Sequence, residues 1–266
     1  MRVSAFLAAL WASGLLYADT GRAQAENAPG ASAAGASAAE THEMSQHEMA
    51  RSMEMDDAAA LGKLVADQFE WRVGDGVDGP AWDVQGWYGT DYNKLGFKTE
   101  GVRIGNVTED ARAELLWDRV FSRWWSAQAG VRHDFAEGPS RNWLALGVQG
   151  LAPYFFHIEA TAYVGDSGRT AARFRAEYEL LFTQRIVLQP LIELNAYGKD
   201  DPERHVGAGV SDLQLGLRLR YEIRRECAPY VGVAWLRSLG KTADLVREAG
   251  EDPSVVQFVA GIRFWL

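Results

Sequence analysis

From Asp212 to Ile223 the chain alternates without a miss. Leu213, Leu215, Leu217, Leu219, Tyr221 and Ile223 take one parity, and Asp212, Gln214, Gly216, Arg218, Arg220 and Glu222 take the other. Successive side chains of a strand point to opposite faces, so this segment is a strand with one apolar and one charged face. The same alternation recurs over 65–73, 81–91, 94–101, 109–118, 124–134, 142–150, 155–165, 170–180, 187–197, 229–237 and 255–266. About twelve strands of roughly nine to twelve residues follow, the length a tilted strand needs to cross a bilayer. A soluble β-sandwich or a lipocalin-like barrel would turn the apolar face inward. With about twelve strands and charge at every second position, that choice leaves a large cavity lined by the wrong face.

The connections sort into two alternating kinds. Short turns are expected around Tyr92-Asn93, Arg119–Arg123, Leu151–Tyr154, Phe182–Arg185 and Arg224–Ala228. Longer polar loops are expected around Gly74–Pro80, Val102–Thr108, Phe135–Arg141, Asp166–Arg169, Gly198–Gly209 and Gly240–Ser254. Short turns on one rim and long loops on the other are the pattern of an outer-membrane barrel, and an even strand count places both termini on the short-turn, periplasmic side. Trp82, Tyr92, Trp117, Trp124, Trp143, Tyr154 and Trp235 fall near strand ends, where amphipathic rings form belts at the bilayer interfaces. The last strand carries Val256, Phe258, Ala260, Ile262, Phe264 and Leu266 on one face. The fold class expected is all-β: an antiparallel transmembrane β-barrel preceded by a disordered N-terminal tail.

Residues 1–25 read as a secretory signal. Arg2 is a positive n-region, Val3 to Tyr17 is mostly apolar, and Ala23-Gln24-Ala25 is a small-x-small cleavage site. The apolar run is too short for a membrane anchor, and no later segment approaches the ~20 apolar residues of a spanning helix. No cysteine follows the cleavage site, which leaves no lipoprotein anchor. Removal of the signal takes the formal charge from −9 to −10. A chain so acidic is ill suited to nucleic acid and suited to cations. Cys227 stands alone, so disulfides within the chain and thiolate clusters are out. Residues 26–63 hold Ala, Ser, Gly, Met, His and acids with no aromatic ring, a composition that cannot offset its ordering entropy and reads as a flexible periplasmic tail. Residues 64–266 form the barrel.

That tail concentrates the chemistry. Of five methionines, Met1 goes with the signal and the other four are Met44, Met49, Met53 and Met55, interleaved with His42 and His47 in THEMSQHEMARSMEMDD. Methionine ordinarily fills gaps in a core, and this segment has none to fill. Thioether is a soft donor and imidazole a borderline one, the combination that suits copper, with Cu(I) favoured and Cu(II) also served. His42, Met44, His47, Met49, Met53 and Met55 are the candidate ligands.

Other motifs carry less. Gly74-Asp75-Gly76-Val77-Asp78-Gly79 matches a dinucleotide fingerprint in letters, but a strand rather than a helix follows it. Gly165-Asp166-Ser167-Gly168 has the letters of a protease nucleophile segment and reads better as a hairpin loop. Asn106-Val107-Thr108 is a sequon without meaning in a bacterial outer membrane. His157 and Glu159 share the face that points into the lumen with Arg173, Arg175, Glu177 and Glu179. They could form a second metal site or an ion path, and the preferred reading is a plug of neutralising ion pairs in a narrow barrel. Cys227 is read as a stray thiol in a periplasmic turn.

The Met/His segment, Trp82–Gly101 (WDVQGWYGTDYNKLGFKTEG), Gln128–Arg185, Leu188–Glu226 and the closing Ala260–Leu266 (AGIRFWL) together resemble the copper-resistance protein B family of Gram-negative outer-membrane proteins. The resemblance spans nearly all of Leu64–Leu266. It implies a barrel serving copper tolerance, copper ions bound by the N-terminal Met/His region, and a periplasmic multicopper oxidase as partner. Binding rather than catalysis is the expectation, in contact with outer-membrane lipid and without nucleic acid. Two other readings stand beside it: a general small-solute porin with an incidental tail, and a barrel hydrolase using His133, Asp134 or Ser167.

Overall fold

A strand that alternates apolar and charged residues cannot satisfy both faces in water, and it closes on copies of itself when one face meets lipid. The computed structural model shows this arrangement over its described residues, 59–74, 78–104, 107–135 and 138–266. The strands are β1 (Leu61–Val73), β2 (Gly79–Gly89), β3 (Asn93–Ile104), β4 (Val107–Ser122), β5 (Trp125–Asp134), β6 (Arg141–Ala152), β7 (Phe156–Gly165), β8 (Thr170–Glu177), β9 (Leu180–Leu181), β10 (Ile186–Tyr197), β11 (Gly209–Tyr221), β12 (Cys227–Ser238) and β13 (Ser254–Trp265). Each pairs antiparallel with its neighbours, and β13 returns to β1 with Val65 opposite Trp265. β8 and β9 pair with the same strand, β10, so the closed barrel has twelve staves. Among the described residues, no helix is long and apolar enough to cross a membrane.

The stave made by β8 and β9 is interrupted for a local reason. Tyr178 donates its backbone N–H to the carbonyl of Pro190 at 3.2 Å, but proline has no N–H to return, and the ladder lapses between Glu177 and Leu180. A second irregularity lies in β1, where the register shifts against both neighbours around Asp67. Such a bulge inserts one residue and re-aims a side chain. Here it turns both Asp67 and Gln68 inward, onto Arg263 and Arg218.

The two faces come out as the alternation requires. Leu144 and Leu146 are 63% and 64% exposed on the outside, while Arg218 and Arg220 are 3% and 2% exposed on the inside. The interior holds only small apolar clusters, one of Leu116, Trp143, Ala145, Tyr163 and Ala171, the other of Tyr230, Ala234 and Val259. Trp143 is therefore a correction to the aromatic belt. Its parity is that of Ala145, and its indole lies over Gly165 on the lumen side, where a Cβ would clash at 2.6 Å. Its N–H donates to Asp134 at 2.8 Å.

The rims also follow expectation, with two differences. β1 begins on the rim where the chain ends, Leu64 and Leu266 exchanging backbone hydrogen bonds of 3.0 and 2.9 Å, and the short turns share that rim. Val102–Thr108 is not a long loop: β3 runs to Ile104 and β4 starts at Val107, because Val102, Ile104, Val107 and Thr108 are β-branched and favour the ladder. The stretch after Gly240 is not irregular either. It forms α1 (Gly240–Glu248), held by Gly207 N–H donating to Thr242 Oγ1 at 2.9 Å.

Candidate functional site

Side chains from five strands meet across the lumen as a septum of ion pairs. Arg173 on β8 lies between Glu100 on β3 and Glu193 on β10, donating to the first at 2.5 and 2.9 Å and to the second at 2.9 and 2.7 Å. Arg112 on β4 pairs with the same Glu100 and lies 3.5 Å from Glu193. Next to them Arg175 bridges Asp83 on β2 at 2.7 Å and Glu177 at 2.5 Å. A charged group withdrawn from water persists only when it is paired and hydrogen-bonded, and these forks saturate one another.

The septum divides the lumen. On the short-turn side a cavity of about 480 Å³ is lined by Ser122, Arg123, Trp124, His157 and Glu159, and on the long-loop side one of about 370 Å³ is lined by Tyr197, Asp212, Ser238 and Pro253. Asp83, Glu100 and Arg175 belong to both walls. Two more clusters brace the barrel. Glu70 accepts from Arg218 at 2.9 Å twice, from Arg72 at 2.9 Å and from Tyr230 at 2.9 Å. Asp134 accepts from Arg132 at 2.6 Å and from Trp143, with Arg204 at 3.5 Å.

The long-loop rim is tied over its mouth. Asp201 pairs with Arg141 of β6 at 3.0 Å and with Arg169 at 3.5 Å, joining three connections at one carboxylate. Its neighbour Asp200 accepts the backbone N–H of Ala208 at 2.6 Å and Lys241 of α1 at 3.1 Å. The Ala208 amide first, and then the ammonium, hold the Asp200 carboxyl below its ordinary range.

Against this geometry the candidate residues separate. His42, Met44, His47, Met49, Met53 and Met55 lie outside the described residues. β1, which follows that segment in the sequence, begins on the short-turn rim. His157 is exposed in the short-turn cavity, and Glu159 beside it is held by Lys98 at 2.7 Å, which fits the ion-pair plug; among the described residues no carboxylate pairs with His157. Among the described residues, no three His, Cys, Asp or Glu side chains are grouped to hold a metal ion. Guanidinium and carboxylate groups are in any case poor donors for a soft cation. The hydrolase residues are not brought together. His133 pairs with Asn142 at 2.7 Å on the outer face, Asp134 turns inward, and Ser167 sits in a short turn whose carbonyl accepts from Lys199. Cys227 is a free thiol at the start of β12.

The septum residues Glu100, Arg112 and Glu193 each stand at inward parity in the sequence, which marks them as lumenal. Their pairing is set by barrel closure, since Arg173 and Glu100 are 73 positions apart.

Comparison with known proteins agrees with the architecture. In three dimensions the chain is similar to the NanC porin, with a TM-score of 0.52 at 12% identity, covering 77% of this chain and 99% of that one. In sequence it is 46% identical over 212 residues to a copper resistance protein B homolog of Pseudomonas syringae pv. tomato, covering 80% of this chain and 72% of the relative. It is 45% identical over 209 residues to copper resistance protein B of Escherichia coli, covering 79% and 71%. The family described as copper resistance protein B precursor (CopB) matches residues 60–266, the whole of the barrel from the residue before β1 to the C-terminus. A barrel of twelve staves matched along its full length to this family leaves one assignment: the chain belongs to the copper resistance protein B family.

Proposed function

We propose that the protein captures copper ions at the outer membrane, through the Met/His segment at the periplasmic rim of the barrel, and holds them there for sequestration or export. The observation that carries this reading is the confinement of every methionine after the signal to residues 44–55, alternating with His42 and His47, in a chain of the copper resistance protein B family. Soft thioether and imidazole donors on a flexible segment can close three or four at a time around Cu(I), which accepts low coordination numbers, and the imidazoles also serve Cu(II). His42, Met44, His47, Met49, Met53 and Met55 carry the binding. The barrel serves as mount in the outer-membrane lipid, with its short-turn rim toward the periplasm. The activity is binding, without a chemical step, and a periplasmic multicopper oxidase of the same resistance system is the natural partner for metal held at that rim.

A general porin is the second reading, and the septum weighs against it. Arg173 and Arg112, clamped between Glu100 and Glu193, occupy the middle of the lumen where a porin needs open water. The test of the proposal is a variant with Met44, Met49, Met53 and Met55 all changed to Ser. The reading predicts normal insertion into lipid and at least a roughly tenfold loss of Cu(I) affinity, since the change removes four of the six donors, all of the soft ones. Unchanged affinity would remove the assignment.

A further inference from the structure

At the short-turn mouth the inner wall of the barrel carries a row of alternating cations and indoles. Lys94 of β3 lies over the ring of Trp87 on β2, with Nζ 4.4 Å from the ring centroid. Trp87 is the cross-strand partner of Lys63 on β1. Lys63 in turn lies 5.1 Å from the ring centroid of Trp265 on β13, and the Trp265 indole donates its N–H to the carbonyl of Arg225 at 2.7 Å. Neighbouring strands are about 4.8 Å apart, so the row from β3 through β2, β1 and β13 to the β11–β12 turn is roughly 19 Å long. Trp87, Lys94 and Trp265 share the parity of Gln85, Lys98 and Arg263, which line the short-turn cavity. The row therefore edges that cavity and does not face lipid.

These cations are not neutralised. Among the described residues Lys63, Lys94 and Arg225 form no ion pair, in contrast to Arg173 and Arg175 of the septum. Arg119, Arg123, Arg185 and Arg224 are exposed on the same rim, also without an ion pair, beside the exposed acids Asp91 and Glu226. The chain as a whole carries a net charge of −9, so this end runs against the overall balance. An ammonium seated on an indole face is held by the ring quadrupole and keeps donors free for an anion. Trp87 and Trp265 are half-buried and keep part of their ring surface open to solvent.

We propose that the row of Lys94, Trp87, Lys63, Trp265 and Arg225 binds a carboxylate-bearing glycan, and that this glycan is peptidoglycan, the anionic sugar polymer beneath the outer membrane. The cations meet the carboxylates of its peptide stems, and the indoles offer flat apolar surface to the C–H faces of its sugar rings. Charge alone would suit any polyanion; the interleaved indoles are what a sugar face requires. A row of this length calls for a polymer and exceeds what a single small anion can span. Phospholipid headgroups lie outside the wall, beyond the reach of side chains at inward parity. The contact moors the barrel, and the cavity behind its mouth, to the cell wall. The inference rests on the outer-membrane reading above, with the short-turn rim toward the periplasm.

The test is co-sedimentation of the full mature chain, folded in detergent micelles, with purified peptidoglycan sacculi. The proposal predicts binding that weakens as salt is raised. Combined Lys63→Glu, Lys94→Glu and Arg225→Glu should lower the affinity at least roughly tenfold. Arg103→Glu, which reverses an exposed cation on the long-loop rim, should leave it unchanged. Combined Lys63→Gln, Lys94→Gln and Arg225→Gln is the milder variant, and should lose affinity in the same direction if the reversed chain does not fold. No sedimentation of the native chain, or equal sedimentation of the substituted ones, overturns the proposal. Trp87→Ala keeps every charge and should also weaken binding, and soluble muropeptides should compete better than polyglutamate. Full binding by Trp87→Ala, or equal competition by polyglutamate, overturns the glycan assignment and leaves a site for acidic protein. Orientation is tested apart from affinity, with Lys94→Cys in a Cys227→Ser chain and a membrane-impermeant maleimide. The outer-membrane reading predicts labelling only after the outer membrane is permeabilised, and labelling in intact cells overturns that reading whatever the sacculi show.

Discussion

Glu70 shows at the scale of one residue how a lumen made of charges is kept folded. Its carboxylate is sealed from solvent and receives two bonds from Arg218, one from Arg72 and one from Tyr230. Desolvating an ion costs several kcal/mol, and only saturated bonding offsets it. Removing one partner therefore exposes the cost of the other. Arg218→Ala, which leaves Glu70 buried with fewer donors, should destabilise the barrel by about 3 kcal/mol, the range for breaking a buried pair. Tyr230→Phe removes one neutral donor and should cost about 1 kcal/mol. Urea unfolding in lipid vesicles checks both, and a larger loss for Tyr230→Phe than for Arg218→Ala would contradict this assignment. The identity of such inward residues is readable from parity alone, as Asp212–Ile223 illustrates. Which carboxylate meets which arginine is not, because Arg218 and Glu70 are separated by 148 positions and meet only once the sheet has closed.

At the scale of the element, most strands are legible because the period-two signal is long and recurs in nearly every stave. The departures have identifiable causes. Trp143 carries an amphipathic ring near a strand end, the signature of an interfacial belt, yet its parity with Ala145 puts it inside, where Asp134 accepts its N–H. Position in the strand suggested the belt, and parity was the stronger guide. Pro190 was a visible sign of a broken ladder within β10, and the gap it leaves opposite Tyr178–Glu179 divides β8 from β9. The bulge at Asp67 had no such sign, since Val65–Val73 reads as strand throughout; the register shift appears only against β2 and β13. α1 was hidden in a polar stretch because its apolar contribution is small, and Thr242 and Ala243 are its buried residues. Its attachment to the β10–β11 connection through Gly207 is a tertiary contact between segments far apart in the chain.

On the scale of the whole molecule, the barrel separates two rims by a septum. The long-loop rim is tied at Asp201, and on the short-turn rim Leu64 of β1 meets the C-terminal Leu266. The septum predicts low ion conductance. Replacing Glu100, Arg112, Arg173 and Glu193 together by Ala removes two acids and two bases, so no buried charge is left without its partner. Single-channel conductance in planar bilayers should rise above that of the native protein, and equal conductance would show that the barrier lies elsewhere.

The six proposed donors rest on residue type and density in the sequence alone, and they lie outside the described residues. The measurement that bears most directly on the central claim is the Cu(I) affinity of the mature chain, set by competition with a chromogenic chelator, against a form lacking Glu26–Ala60 and so beginning at the first residue of β1. Copper capture by the Met/His segment predicts tight binding in the first and its loss in the second, with the barrel still folded. Equal affinity in both would contradict it and move the copper into the lumen, to the cavity where His157 is exposed.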